Sequence, residues 1–107
     1  MGDRGNIIVK DNGSEVYLYT HWSGSDLPEV VQKSLQRGRD RWNDGQYLAR
    51  ILFCDMLDGD KGTTGFGISS VIGDGGTDIT VNVDEQTVEF RGATTSFAEY
   101  AAAKVET

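Results

Sequence analysis

One cysteine and one histidine are all that the 107 residues offer of thiol and imidazole, and that scarcity closes off several kinds of protein. Cys54 has no second cysteine for an internal disulfide, whereas small secreted domains ordinarily carry several bridges. A single thiol and a single imidazole cannot build a usual four-ligand structural zinc site. Long apolar runs are absent: nothing approaches the ~20 residues that cross a bilayer, and the amino terminus lacks the charged-then-apolar plan of a secretory signal. A cytoplasmic protein is expected. Phosphate-cradling glycine patterns are missing too. Gly65-Phe66-Gly67 lacks the third glycine and the following helix of a dinucleotide fingerprint, and no Gly-Lys-Ser/Thr loop occurs. Asp58-Gly59-Asp60-Lys61-Gly62 begins like a calcium loop, but Lys61 breaks the ligand pattern and Ser69 stands where a bidentate glutamate belongs. No metal and no cofactor are expected.

What remains is ordinary globular material. Hydrophobic residues make up 37% and charged residues 25% of the chain, enough to fold, and 107 residues suit one domain, 1–107, around one core. The net charge of −7 is unevenly placed. From Met1 to Cys54 seven acids balance seven bases. From Asp55 to Glu89 the acids Asp55, Asp58, Asp60, Asp74, Asp78, Asp84, Glu85 and Glu89 face Lys61 alone, which accounts for the whole excess. The remainder balances again.

Asn6 to Lys10 and Glu15 to Thr20 are rich in β-branched and aromatic residues, and Asn12-Gly13 between them is a strong two-residue hairpin signal. Such a loop pairs Val9 with Val16, Ile7 with Leu18, and Lys10 with Glu15. Asp26-Leu27-Pro28-Glu29 predicts a helix start, with Leu27, Val30, Val31 and Leu35 as its apolar stripe and Gly38 as its stop. Asn43 with Gln46 suggests the cap of a second, buried helix carrying Tyr47, Leu48, Ile51, Leu52, Cys54 and Leu57. Three strands follow, around Phe66 to Ile72, Ile79 to Val83, and Val88 to Phe90. A turn at Gly73-Asp74-Gly75-Gly76 sets Ile68 opposite Val81, and Asp84 to Thr87 sets Val83 opposite Val88. Gly65 and Gly67 mark a bulge or close backbone packing. Ser96-Phe97-Ala98-Glu99 is a capping box opening a short helix that frays at its end, with Gly92 to Thr95 as a hinge that lets it move. The expectation is an α+β domain of order β-β-α-α-β-β-β-α. Its antiparallel sheet comprises an N-terminal hairpin and a three-stranded meander, with helices on one face and Asp78, Thr80, Asn82, Thr87, Glu89 and Arg91 on the other.

The strings VYLYTHWSG, LPEVVQKSL, YLARILFC and TTGFGIS resemble those of a family of short proteins encoded by phages and bacteria, over nearly the whole chain. The resemblance brings no activity, so no site residue is carried over from it. It implies a context in which small phage-borne accessory proteins act on host machinery, including CRISPR and other defence complexes.

Two sets of residues are candidates for function. The eight acids from Asp55 to Glu89, if they share a rigid surface, present spaced negative charge able to compete for a basic nucleic-acid site by DNA mimicry; as turn and edge residues they need no such role. Alternatively Tyr17, Tyr19, His21 and Trp22 line a pocket for a planar ligand such as a nucleotide signal, with Arg37, Arg39 or Arg41 holding its phosphate. The bland readings are tyrosines packed with their hydroxyls satisfied, and arginines complementing a helix C-terminus. Cys54 and His21 are the one thiol–imidazole pair available for nucleophilic catalysis, but Cys54 falls on an apolar stripe, as a small buried hydrophobe would. The expected function is therefore non-enzymatic. Foremost is an acidic inhibitor of a host nucleic-acid-handling or defence complex, binding a basic protein surface without contacting nucleic acid or membrane. A nucleotide-binding protein and an oligomer-forming module whose strand edge pairs with its own copy are the alternatives.

Overall fold

The computed structural model describes residues 3–72 and 76–102. Strands β1 (Gly5–Asp11) and β2 (Ser14–Thr20) form the amino-terminal hairpin. Helices α1 (Leu27–Arg37) and α2 (Gly45–Leu57) follow, each preceded by a 3-10 turn, Gly24–Asp26 and Arg39–Arg41. Strands β3 (Phe66–Ser69), β4 (Thr77–Asn82), β5 (Thr87–Phe90) and β6 (Ala93–Ser96) come next, and α3 (Phe97–Ala102) closes the described chain.

The hairpin register is the expected one, Val9 on Val16, Ile7 on Leu18 and Lys10 on Glu15. Asn12 and Gly13 both take positive φ, 53° and 80°, as a two-residue type I′ turn demands. The six strands lie in the order β3-β2-β1-β4-β5-β6. This corrects the three-stranded meander. Ile68 pairs with Leu18 and Val81 with Val9 and Val88, so Ile68 and Val81 are not partners, and β1 pairs with β4 in parallel. The reason lies in β1, whose Gly5, Asn6, Ile7 and Val9 are all buried. A strand so buried needs partners on both edges, and a meander leaves one edge open. Asn6 Nδ2 donates to Asp78 Oδ1 at 3.0 Å, holding the parallel register of Asn6 beside Asp78. The turn read at Gly73-Asp74-Gly75-Gly76 falls outside the described residues up to Gly76.

Between β4 and β5 the faces are as expected, but the pairing moves along by a residue on each strand: Asn82 meets Thr87 and Val81 meets Val88. Asn82 Oδ1 accepts from the Glu85 amide at 3.1 Å and Gln86 turns left-handed at φ 53°, so the loop is Val83 to Gln86. Asp78, Thr80, Asn82, Thr87 and Glu89 share the sheet face away from the helices, whereas Arg91 lies in the next turn. Gly92 to Thr95 is not a hinge. Arg91 and Gly92 at φ 51° and 82° make a second two-residue turn, and Ala93–Ser96 pairs along β5.

Helix α1 begins where expected, but Asp26 makes no side-chain cap bond. On α2 the cap is Asp44, one residue beyond Asn43: its Oδ1 accepts from Tyr47 N at 3.4 Å, while Asn43 accepts from Gln86 Nε2 at 2.6 Å. Only Leu48 and Leu52 of the expected stripe are fully buried, joined by Met56; Tyr47 and Cys54 are exposed. The capping box is present, Glu99 N donating to Ser96 Oγ at 3.1 Å. One core joins the helices to one sheet face: Ile7, Val9, Leu18, Ile79, Val81 and Val88 meet Leu27, Val31, Leu35, Leu48, Leu52, Met56 and Phe97. No described helix is long and apolar enough to cross a membrane.

Candidate functional site

The acids between Asp55 and Glu89 are dispersed. Asp55 belongs to the helix layer, where Oδ2 accepts from Ser34 Oγ at 2.7 Å and Oδ1 from Arg37 at 3.0 Å. Asp58 is the left-handed C-cap of α2, and Asp60 accepts from the Gly62 amide at 2.7 Å. Asp78 is held by Asn6 on the open sheet face, and Glu89 lies on the adjacent strand β5, on the same face, opposite Thr80. Asp84 receives the Asn12 amide on both oxygens at 2.9 and 3.0 Å, which places it and Glu85 beside the β1–β2 turn. Helix α2 starts at that same end, where Gly45 abuts the Asp11 carboxylate, and its 13 residues carry the chain roughly 20 Å before Asp58. Asp74 falls outside the described residues. The row of free carboxylates that mimicry requires does not form among the described ones: most are bonded to turn amides, Asn6 or Arg37, and they occupy both ends and both layers.

The ligand-binding set is divided as well. Tyr17 and Tyr19 pair with Ile8 and Asn6 on the open face, and the Tyr19 hydroxyl meets His21 Nδ1 at 3.0 Å. The Tyr17 hydroxyl donates to the Glu15 carboxylate, which lowers the carboxyl pKa and raises that of the phenol. Trp22 turns away, its ring edge-on to Phe66 and close over Gly65. Arg37, Arg39 and Arg41 lie across the sheet at the α1–α2 corner, with Arg37 on Asp55, Arg39 over Trp42 at 5.5 Å and Arg41 over Tyr47 at 4.6 Å. The sheet therefore separates the aromatic row from the arginines. His21 is engaged by Tyr19 and Trp22, and the exposed Cys54 thiol is not among its partners, so the buried position expected for Cys54 is corrected.

The structure assembles two other features. Because α1 and α2 run as a helical hairpin, the start of one lies beside the end of the other. A cleft of about 540 Å³ opens there, bringing Asp26 and Glu29 of the α1 start together with Asp55 and Asp58, with Lys33 as the cation in its lining. Asp26 and Glu29 were missed because they belong to the charge-balanced half; their spacing from Asp55 is a matter of helix pairing. The second feature is the outer strand β3. Trp22, Ile68, Val71 and Ile72 are 52%, 62%, 68% and 48% exposed, four of the five large apolar residues so exposed among the described ones. The alternation legible in sequence marked Ile68 as core-facing, and its side is correct; at the sheet edge no helix covers it. No protein-family model, curated protein or solved structure matches the chain.

Proposed function

We propose that this is a non-enzymatic binding protein whose cleft between α1 and α2 receives a basic segment of another protein. One observation carries the reading: the cleft is lined by four carboxylates, two at or just before the start of α1 and two at or just after the end of α2, with one lysine. Asp55 is paired with Arg37 and accepts a hydrogen bond from Ser34, which leaves Asp26, Glu29 and Asp58 to meet an incoming lysine or arginine. The −7 net charge adds long-range attraction for such a partner, mainly to its rate of association. The resemblance to short phage- and bacteria-encoded proteins motivates the biological role: inhibition of a host nucleic-acid-handling or defence complex by occupying its basic surface. Mimicry of a DNA strand is not part of this reading, because the acids form no row. Nor is nucleotide binding by the tyrosines and arginines, which the sheet keeps apart.

The test is a titration with a short fluorescent peptide rich in lysine and arginine. The double variant Glu29→Lys/Asp58→Lys should weaken binding tenfold or more, about 1.4 kcal/mol. The double variant Glu85→Lys/Glu89→Lys changes net charge equally, away from the cleft, and should have a much smaller effect. Equal losses from the two would mean that bulk charge alone attracts the peptide, and the cleft assignment would fail.

A further inference from the structure

We infer that β3 is a self-pairing edge, through which two copies of the chain join their sheets antiparallel about a two-fold axis at Gly67. Independently of the cleft, three observations point to a second copy.

The first is the direction of the backbone groups. In the β1–β2 hairpin a two-residue loop makes Asp11 and Ser14 a hydrogen-bonded pair, so even-numbered residues of β2 direct their amides toward β1 and odd-numbered ones toward β3. The His21 amide indeed donates to Gly65 O at 2.8 Å. With Tyr19 opposite Gly67 and Tyr17 opposite Ser69, Gly67 and Ser69 face inward. The amides and carbonyls of Phe66 and Ile68 are therefore directed off the sheet, where no described strand pairs with them.

The second is the missing protection. Exposed edges are normally blunted by lysine, proline or inward charge. Gly62 to Gly73 contains no charged residue and no proline, in a chain that is 25% charged. The pairing strands themselves would therefore bring no like charges together.

The third is self-complementarity. Antiparallel pairing about Gly67 sets Phe66 of each copy opposite Ile68 of the other as hydrogen-bonded pairs, which uses all the outward groups of the strand. Gly67 meets Gly67 of the second copy at a non-hydrogen-bonded position, where opposed strands come closest and glycine puts no side chain between them. Phe66, Ile68 and the Trp22 ring that packs on Phe66 then form one apolar cluster with their counterparts. The exposed Val71 and Ile72 of each copy are carried toward the Gly65 end of the other. A contact built on so short a strand is at the small end of specific interfaces, so association in the micromolar range is expected.

Sedimentation equilibrium over a wide concentration range tests this. The wild type should move from the 11.7 kDa chain mass toward twice that value and no further. Ile68→Pro removes an outward amide while leaving the β2–β3 ladder intact, and it should stay monomeric throughout. Ile68→Lys, at a side chain already mostly exposed, should do the same and decides the matter if the proline variant fails to fold. A wild type that remains at the chain mass, one that grows beyond the dimer, or a dimer that survives Ile68→Lys would each overturn the inference.

Discussion

Tyr100 shows how one residue fastens a whole element. Its hydroxyl donates to the Pro28 carbonyl at 2.9 Å, at the start of α1, and burial pushes the phenol pKa above its ordinary value. The folded chain thus holds this proton more tightly than the unfolded chain does. The stability so contributed is complete below the unfolded phenol value of about 10 and is lost as pH rises through the higher folded value. At pH 8, Tyr100→Phe should lower stability by about 0.5–1.5 kcal/mol, the worth of one hydrogen bond. Denaturant midpoints of the two proteins should then draw together above pH 10; a gap that stays constant with pH would show that the hydroxyl proton is not differentially held. Little of this was legible in the sequence, since Tyr100 and Pro28 meet only through tertiary packing. Local chemistry was legible: Asn12-Gly13 names its own turn, and Ser96 with Glu99 names its own cap. Asn43 and Asp44 are both competent caps, and the choice between them depends on Gln86, which claims Asn43 from the far side of the chain.

At the scale of elements, periodicity told faces apart and left partners undetermined. Side chains alternate in every strand, so Ile79, Val81 and Val88 could be assigned to the dry side without knowing the strand order. A slip by one residue on both strands keeps every side chain on its face, which is why the β4–β5 pairing could be misjudged while the faces were right. β6 was overlooked because Ala-Thr-Thr-Ser has no apolar alternation; its signal is Arg91-Gly92, a two-residue spacing between two β-capable segments. That strand anchors α3 instead of freeing it. Phe97 N donates to Gln86 O at 2.8 Å, the Phe97 ring meets Trp42 edge-on at 5.6 Å, and Gln36 Nε2 donates to Ala101 O at 2.6 Å. Phe97 is 1% exposed, so Phe97→Ala should cost about 3–5 kcal/mol. A hinged, loosely held helix would lose far less, and urea unfolding distinguishes the two outcomes.

Over the whole molecule, the parallel β1–β4 pairing decides where charge goes. Counting along the chain located the excess acid in one segment, but that segment starts on α2, runs to the β3 edge and returns through β4 beyond β1, so its carboxylates are spread over both layers. The cleft instead draws Asp26 and Glu29 from a neutral half. The two proposed contacts consequently differ in electrostatic sign. At the cleft an acidic surface meets a cationic peptide, and salt screens an attraction. At β3 two chains of charge −7 meet through an uncharged strand, and salt screens the repulsion of their bodies. Raising the ionic strength from about 0.05 M to 0.5 M shortens the screening length from well above 10 Å to a few Å. Peptide binding should weaken severalfold over that range while self-association strengthens, when both are followed in the same buffers by anisotropy and sedimentation. If self-association weakens in parallel with peptide binding, opposite charges and not the neutral β3 strand hold the copies together. That result would move the dimer contact to an encounter between the acidic cleft and the arginine-bearing α1–α2 corner.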